Sequence, residues 1–195
     1  DTHPIRFEGN NYSEDWLKEA ERRGIPNLRK TPEALAELTK PKSKAMLAKM
    51  GIFTEAELVS RFHVRTERYV KNLLIEIDTL SSMVETQILP AAYAYHGMLA
   101  AAVLNCKSLG TTAPQADVLT RLGGLISSLQ TNRMALEASL HKVEALSSEE
   151  EKALLLAHEV TLAMSDVRQV CDELESIVAD DYWPLPKYRE ILFLS

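Results

Sequence analysis

The chain has 195 residues, 46% apolar and 26% charged, a balance that argues against disorder and supports one medium domain, or one domain plus a small satellite, with a sizeable core. Its net charge of −6 is uneven, with 14 Lys/Arg against 11 Asp/Glu in residues 1–71 and 8 against 17 in residues 72–195. An acidic long half excludes a nucleic-acid binder, which needs clustered cations for phosphate, and no apolar run approaches the roughly 18 residues of a membrane-spanning helix. The seven glycines and eight prolines leave few turns, so the elements should be long.

Residues 1–12 read as extended or looped, and Asp1-Thr2-His3-Pro4 does not resemble a signal peptide. They suggest a cut upstream of a domain boundary. Ser13 is placed to cap a short helix that carries Glu14 and Asp15 in its first turn, Arg22 and Arg23 in its last, and Gly24 as its stop. Thr31-Pro32-Glu33 starts a second helix to about Leu38, with Thr31 as cap and Pro32 at the first helical position. Pro41 opens a third that ends at Gly51. These helices make residues 1–53 a small, irregular lead-in. Its cations Arg22, Arg23, Arg29, Lys30, Lys40, Lys42 and Lys44 read as a solvated surface before they read as a seat for an acidic partner.

Thr54-Glu55-Ala56-Glu57 is a capping box. The helix behind it has the seam Val70, Leu73, Ile77, Leu80 and Val84, in steps of three and four. Pro90 lacks an amide proton and would clash with the Thr86 carbonyl. Because the spacing resumes at Ala92, His96, Leu99, Val103 and Cys106, a kink is expected, with the helix continuing to Leu109 and stopping at Gly110. A second long helix, about 115–146, has the seam Leu119, Leu122, Ile126, Leu129, a break at Arg133, then Leu136, Leu140 and Val143. Gly123-Gly124 inside it costs roughly 1 kcal/mol per glycine, which a close helix crossing or a bend would explain. Ser147-Ser148-Glu149-Glu150 reads as another capping box across a short turn that makes its neighbours antiparallel. A third long helix, about 149–179, has the seam Leu156, Val160, Ala163, Val167, Val170, Leu174 and Ile177. At about 31 residues each, the second and third helices span roughly 47 Å.

The expected fold is therefore all-α. A long antiparallel three-helix bundle with a kinked first helix (54–180) follows the lead-in and precedes an aromatic and proline-rich tail (181–195). The tail, Asp181-Tyr182-Trp183-Pro184-Leu185-Pro186-Lys187-Tyr188, ends in a short apolar helix around Ile191-Leu192-Phe193. Such a tail straps onto its own domain or docks on another surface. Trp16, Tyr182, Trp183, Pro184, Tyr188 and Phe193 are the candidate packing or interface residues.

No catalytic, cofactor-binding or metal-binding residue is assigned. His3, His63, His96, His141 and His158 show neither i, i+4 pairing nor the Glu-x-x-His motifs of carboxylate di-iron bundles. His96 lies on an apolar seam and reads as a core histidine, and Glu137 with His141 as a polar pair one turn apart. Gly123-Gly124 lacks the Lys-Ser/Thr of a phosphate loop, and there is no G-x-S-x-G elbow. Glu149-Glu150-Glu151 suits a helix N-terminus. Cys106 and Cys171 stand in no C-x-x-C pair and read as small hydrophobes in a reducing cytoplasm. The six methionines, Met46, Met50, Met83, Met98, Met134 and Met164, sit at core-like spacings.

Two stretches are distinctive beyond helical patterning. One is Phe7-Glu8-Gly9-Asn10-Asn11-Tyr12-Ser13-Glu14-Asp15-Trp16, followed by Glu19-Ala20-Glu21-Arg22-Arg23-Gly24-Ile25-Pro26-Asn27-Leu28 and Thr31-Pro32-Glu33-Ala34-Leu35. The other is the tail from Asp181 to Phe193. Together with Gly51-Ile52-Phe53-Thr54-Glu55 and Ile88-Leu89-Pro90-Ala91, they resemble the C-terminal region of type III glutamine synthetase, the large bacterial form. The resemblance implies a parent enzyme that joins ammonia to glutamate using ATP with Mg²⁺ or Mn²⁺. The family's metal-binding glutamates, its Asn-Gly-Ser-Gly run and its phosphate clamps have no recognisable match here, so no catalytic residue carries over.

The resemblance further implies a chain that is not itself an enzyme and holds no cofactor. Its partners would be the rest of the parent and neighbouring subunits of a cytoplasmic homo-oligomer, with neither nucleic acid nor membrane, and its role would be subunit packing. A free-standing helical interaction or adaptor module is the competing reading. A helical metalloenzyme would need a ligand set not found.

Overall fold

A computed structural model of the chain describes residues 6–192, and its regular elements are helical, with no strand among the described residues. The helices are α1 (Glu14–Arg22), α2 (Thr31–Ala36), α3 (Pro41–Lys49), α4 (Glu55–Met83), α5 (Leu89–Ser108), α6 (Ala116–Glu144), α7 (Glu149–Leu155), α8 (Thr161–Ile177) and α9 (Tyr188–Leu192). The chain divides into two compact units, Asp1–Arg65 and Thr66–Ser195, and the division falls inside α4. No helix among the described residues is long and apolar enough to cross a membrane.

In the first unit, α1 and α3 end as the glycines require. Gly24 and Gly51 take φ of +67° and +66°, and the next amide reaches back to close each helix (Ile25 N to Ala20 O at 2.9 Å, Ile52 N to Leu47 O at 3.0 Å). Only a residue without a Cβ adopts that left-handed cap cheaply. Ser13 occupies the cap position of α1 but its side chain makes no capping bond. Its hydroxyl instead donates to the Asn10 carbonyl at 2.7 Å. The Asn10 side chain, accepting from the Tyr12 amide at 3.0 Å, folds the approach into a turn that claims the serine. The second helix starts one residue earlier than expected, with Lys30 at the cap, and a 3₁₀ turn (Glu37–Thr39) follows it. The Thr54 capping box forms in full: the Glu57 amide donates to Thr54 Oγ1 at 3.3 Å and the Thr54 amide to Glu57 Oε2 at 2.8 Å.

In the second unit, α6 packs against α5 and against α8. The expected seams are the core: Val70, Ile77, Val84, Leu122, Leu129, Leu136, Leu156, Val160, Val167 and Leu174 are all at most 2% exposed. Burying side chains of this size stabilises by about 1.5–3 kcal/mol each, which outweighs the weak helix propensity of Gly123-Gly124. The crossing that excuses Gly123 is present, since a Cβ there would lie 3.3 Å from His96 Nε2 on α5. Gly124 faces open space.

Two long helices are each interrupted by a π turn. The first, Val84–Ile88, lies between α4 and α5, with the Leu89 amide bonded to the Val84 carbonyl five residues back. This wider turn stands directly before Pro90, where a kink was expected and where the regular ladder would have needed the missing amide. The second, Leu156–Val160, lies between α7 and α8, where a uniform helix was expected. It carries no proline. Within it Leu156, Ala157 and Val160 are all at 0% exposure. The side-chain cap at the start of α7 sits one residue later than expected, as Ser148 Oγ accepts from the Glu151 amide at 3.4 Å.

The methionines depart from expectation. Met46, Met50, Met98 and Met134 are exposed, Met83 is half-buried, and Met164 packs against the core. Unbranched side chains pass the spacing test for a seam, but Leu, Ile and Val take the inward positions.

Candidate functional site

The six candidate packing residues are divided between the two units. Trp16 lies on α1 in the first unit, half-buried, with its ring 4.7 Å from that of Phe7. The others belong to the second unit. Trp183 is 9% exposed and is part of the core cluster, against which Leu185 also packs. Tyr182 is more exposed, its ring 5.4 Å from that of Tyr95 on α5. Pro184 is exposed, Tyr188 begins α9, and Phe193 lies outside the described residues. The tail reaches the core by leaving α8 in extended backbone at Val178 and turning at once, with the Tyr182 and Trp183 amides both on the Ala179 carbonyl. Lys187 Nζ then pairs with Asp180. The Trp183 indole N–H is buried without an acceptor, so hydrophobic burial holds this ring rather than a polar tether.

Four cations of the basic lead-in, Arg22, Arg23, Lys40 and Lys44, are paired. Arg22 and Arg23 both grip Glu19, at 2.6 Å, and their guanidinium groups hold its carboxyl at about 2, well below the ordinary carboxylate range. Lys40 pairs with Glu37 at 2.5 Å and Lys44 with Glu55 at 2.8 Å.

Sequence reasoning missed two cross-helix pairs. Each π turn carries one carboxylate that reaches a cation on α6. Glu85 meets Arg133, and Glu159 meets Lys142 as well as the Ser139 hydroxyl at 2.9 Å. Lys142 and then Ser139 lower the Glu159 carboxyl from its usual value. Only the Arg133 break in the seam hinted at the first pair. Arg133 borders a cavity of about 180 Å³, lined also by Asp78, Glu85 and Glu137 over a floor of Ile77 and Leu136.

Among the described residues no three His, Cys, Asp or Glu side chains gather in a metal-ligating group. Cys171 is buried, and loss of water pushes its thiol up to about 11, which keeps it protonated and unreactive. Cys106 is half-buried. What the geometry offers is packing: long helices with apolar inner faces, and an indole seated in their core.

The family model of the glutamine synthetase C-terminal domain matches residues 1–107, more than half of the chain. The chain belongs to this family. Over 97% of its length it is 34% identical to the type-3 glutamine synthetase of Dictyostelium discoideum. Over 98% it is 32% identical to the glutamine synthetase of Bacteroides fragilis (strain YCH46). The glutamine synthetase of Butyrivibrio fibrisolvens is 29% identical over 97%. The chain spans about 27% of the length of these relatives. The family match ends within the last turn of α5, while the similarity to whole relatives extends across nearly all of the chain.

Proposed function

We propose that the chain is a non-catalytic, helical C-terminal part of a glutamine synthetase, whose remaining portion joins ammonia to glutamate with ATP and Mg²⁺ or Mn²⁺. Its own role is to pack subunits of a cytoplasmic homo-oligomer. The observation that carries this reading is the family match taken with the relatives' names and the quarter of their length that the chain spans. The packing of α5 and α8 on α6 supports three antiparallel rods, α4–α5, α6 and α7–α8, with the first bent at its π turn. Residues 1–53 then serve as the lead-in, 54–180 as the bundle and 181–195 as a strap anchored by Trp183, whose burial supports that role. No residue of the chain is assigned a part in the ligation, and no cofactor is assigned to it.

The test is a comparison of three proteins: the 195-residue chain, the complete polypeptide, and that polypeptide with this segment deleted. ATP-dependent glutamine formation is expected from the complete polypeptide and not from the isolated chain. Sedimentation should show a smaller assembly after the deletion. Turnover by the isolated chain, or an unchanged assembly and activity after the deletion, overturns the proposal.

A further inference from the structure

Helix α5 carries two apolar stripes. One faces inward, through Ala92 and Leu99, both buried, and through His96 at the α6 crossing. The other runs Ala94, Gly97, Met98, Ala101 and Leu104, in the same three- and four-residue steps, and all five are exposed, Leu104 at 65%. A helix with one wet face places its charges there, yet no Asp, Glu, Lys or Arg lies between Leu89 and Cys106. Gly97 adds a cost of its own. It sits mid-helix, where glycine weakens the structure, and a Cβ at Gly97 would meet nothing within 4 Å. Gly123 is explained by its helix crossing, whereas Gly97 has no packing partner among the described residues.

The size of the stripe selects its occupant. From Ala94 to Leu104 is about 11 residues, or roughly 16 Å at 1.5 Å per residue, on a helix about 10 Å wide. That is on the order of 160 Å², against about 800 Å² per partner in a stable complex. A free second copy gains too little from so small a patch. A partner joined through the same polypeptide needs far less area, because tethering supplies an effective concentration in the millimolar range. We propose that this face of α5 seats an apolar surface of the parent polypeptide lying outside these 195 residues, docked within one chain. The inference rests on the reading above that the chain is part of a longer glutamine synthetase, whose relatives are nearly four times its length.

The experiment places a photo-crosslinking amino acid at Met98 or Leu104 of the complete polypeptide, with exposed Gln169 on α8 as the control position. Light and ¹⁵N-labelled chains are co-assembled, irradiated and digested. Expected are links from positions 98 and 104, at least fivefold above the control, to peptides outside this segment, joining light to light and heavy to heavy only. Mixed light–heavy links would assign the face to a neighbouring copy. Links confined to these 195 residues, or none above the control, would show that nothing docks there. Each of these results overturns the proposal while leaving the family reading intact. If the native protein has a mass of only 21.8 kDa, both readings fall together.

Discussion

Gly123 and Gly124 are neighbours in sequence and opposites in surroundings, and this separates two contributions to stability. At Gly124 a Cβ would meet nothing within 4 Å, so Gly124→Ala changes only backbone freedom and helix propensity. Those favour alanine by about 1 kcal/mol in a helix interior. For a chain of this size, that raises the midpoint of thermal unfolding by about 2–4 °C. At Gly123 the same methyl group lies 3.3 Å from His96 Nε2, so the ring must yield by a few tenths of an ångström. Gly123→Ala should therefore gain less than half as much, and Gly123→Leu should destabilise.

The assay is Trp183 fluorescence during thermal unfolding in a Trp16→Phe background, since the two indoles lie in different units and Trp183 then reports its own. In a His96→Ala background, Gly123→Ala should recover the full gain, a coupling that a double-mutant cycle reads directly. A midpoint left unchanged or lowered by Gly124→Ala would refute the propensity account. Alike behaviour of the two alanine variants, with or without His96, would refute the contact at Gly123.

Arg133 reaches Glu85 with a half-exposed pair, and its Nε is buried without a partner. Arg133→Met keeps the apolar stem and removes the orphaned donor, so urea unfolding should place it within about 0.5 kcal/mol of the parent chain, while Arg133→Ala should lose about 1–2 kcal/mol through packing. Glu19 titrates at about 2 in the folded chain, below its ordinary 4.5, because of Arg22 and then Arg23. A lowered carboxylate stabilises above the unfolded value and loses that contribution as pH falls towards the folded one. Trp16 fluorescence should therefore show the chain more stable than its Glu19→Gln variant at pH 6, with the gap closing between about pH 4.5 and 2. Of the two thiols, Cys106 should react with a disulfide reagent at pH 8 in the native protein, and Cys171 only after denaturation.

The parts of this fold governed by neighbours in sequence were legible before the structure. The Thr54 box needs a partner three residues away, and the stops at Gly24, Gly51 and Gly110 need only a residue free to take positive φ. The seam of α6 follows from period alone, as Leu122, Leu129 and Leu136 show. What escaped depends on distant partners. Glu85 and Arg133 are 48 residues apart, and neither marks the other in sequence. The turn at Leu156–Val160 carries no proline to announce it, and Ser13 lost its cap to a competing acceptor at Asn10. Helix α5 is apolar on nearly every side, so its pattern identifies an inner stripe while hiding that a second stripe is left outside. Of the candidate packing residues, Trp183 belonged to a tail whose sequence left self-docking and docking elsewhere open, and its place in the core depends on contacts that no local pattern shows.

A π turn is a helix holding one residue too many. Deleting a single residue from Val84–Ile88 would remove that surplus and leave α5 in phase, with Ala92 and Leu99 still inward. A one-residue deletion in the regular helix beyond the turn would instead swing every later position of α5 by about 100° about its own axis. The surplus residue is thus slack, and a deletion should be far less damaging there than a few residues downstream.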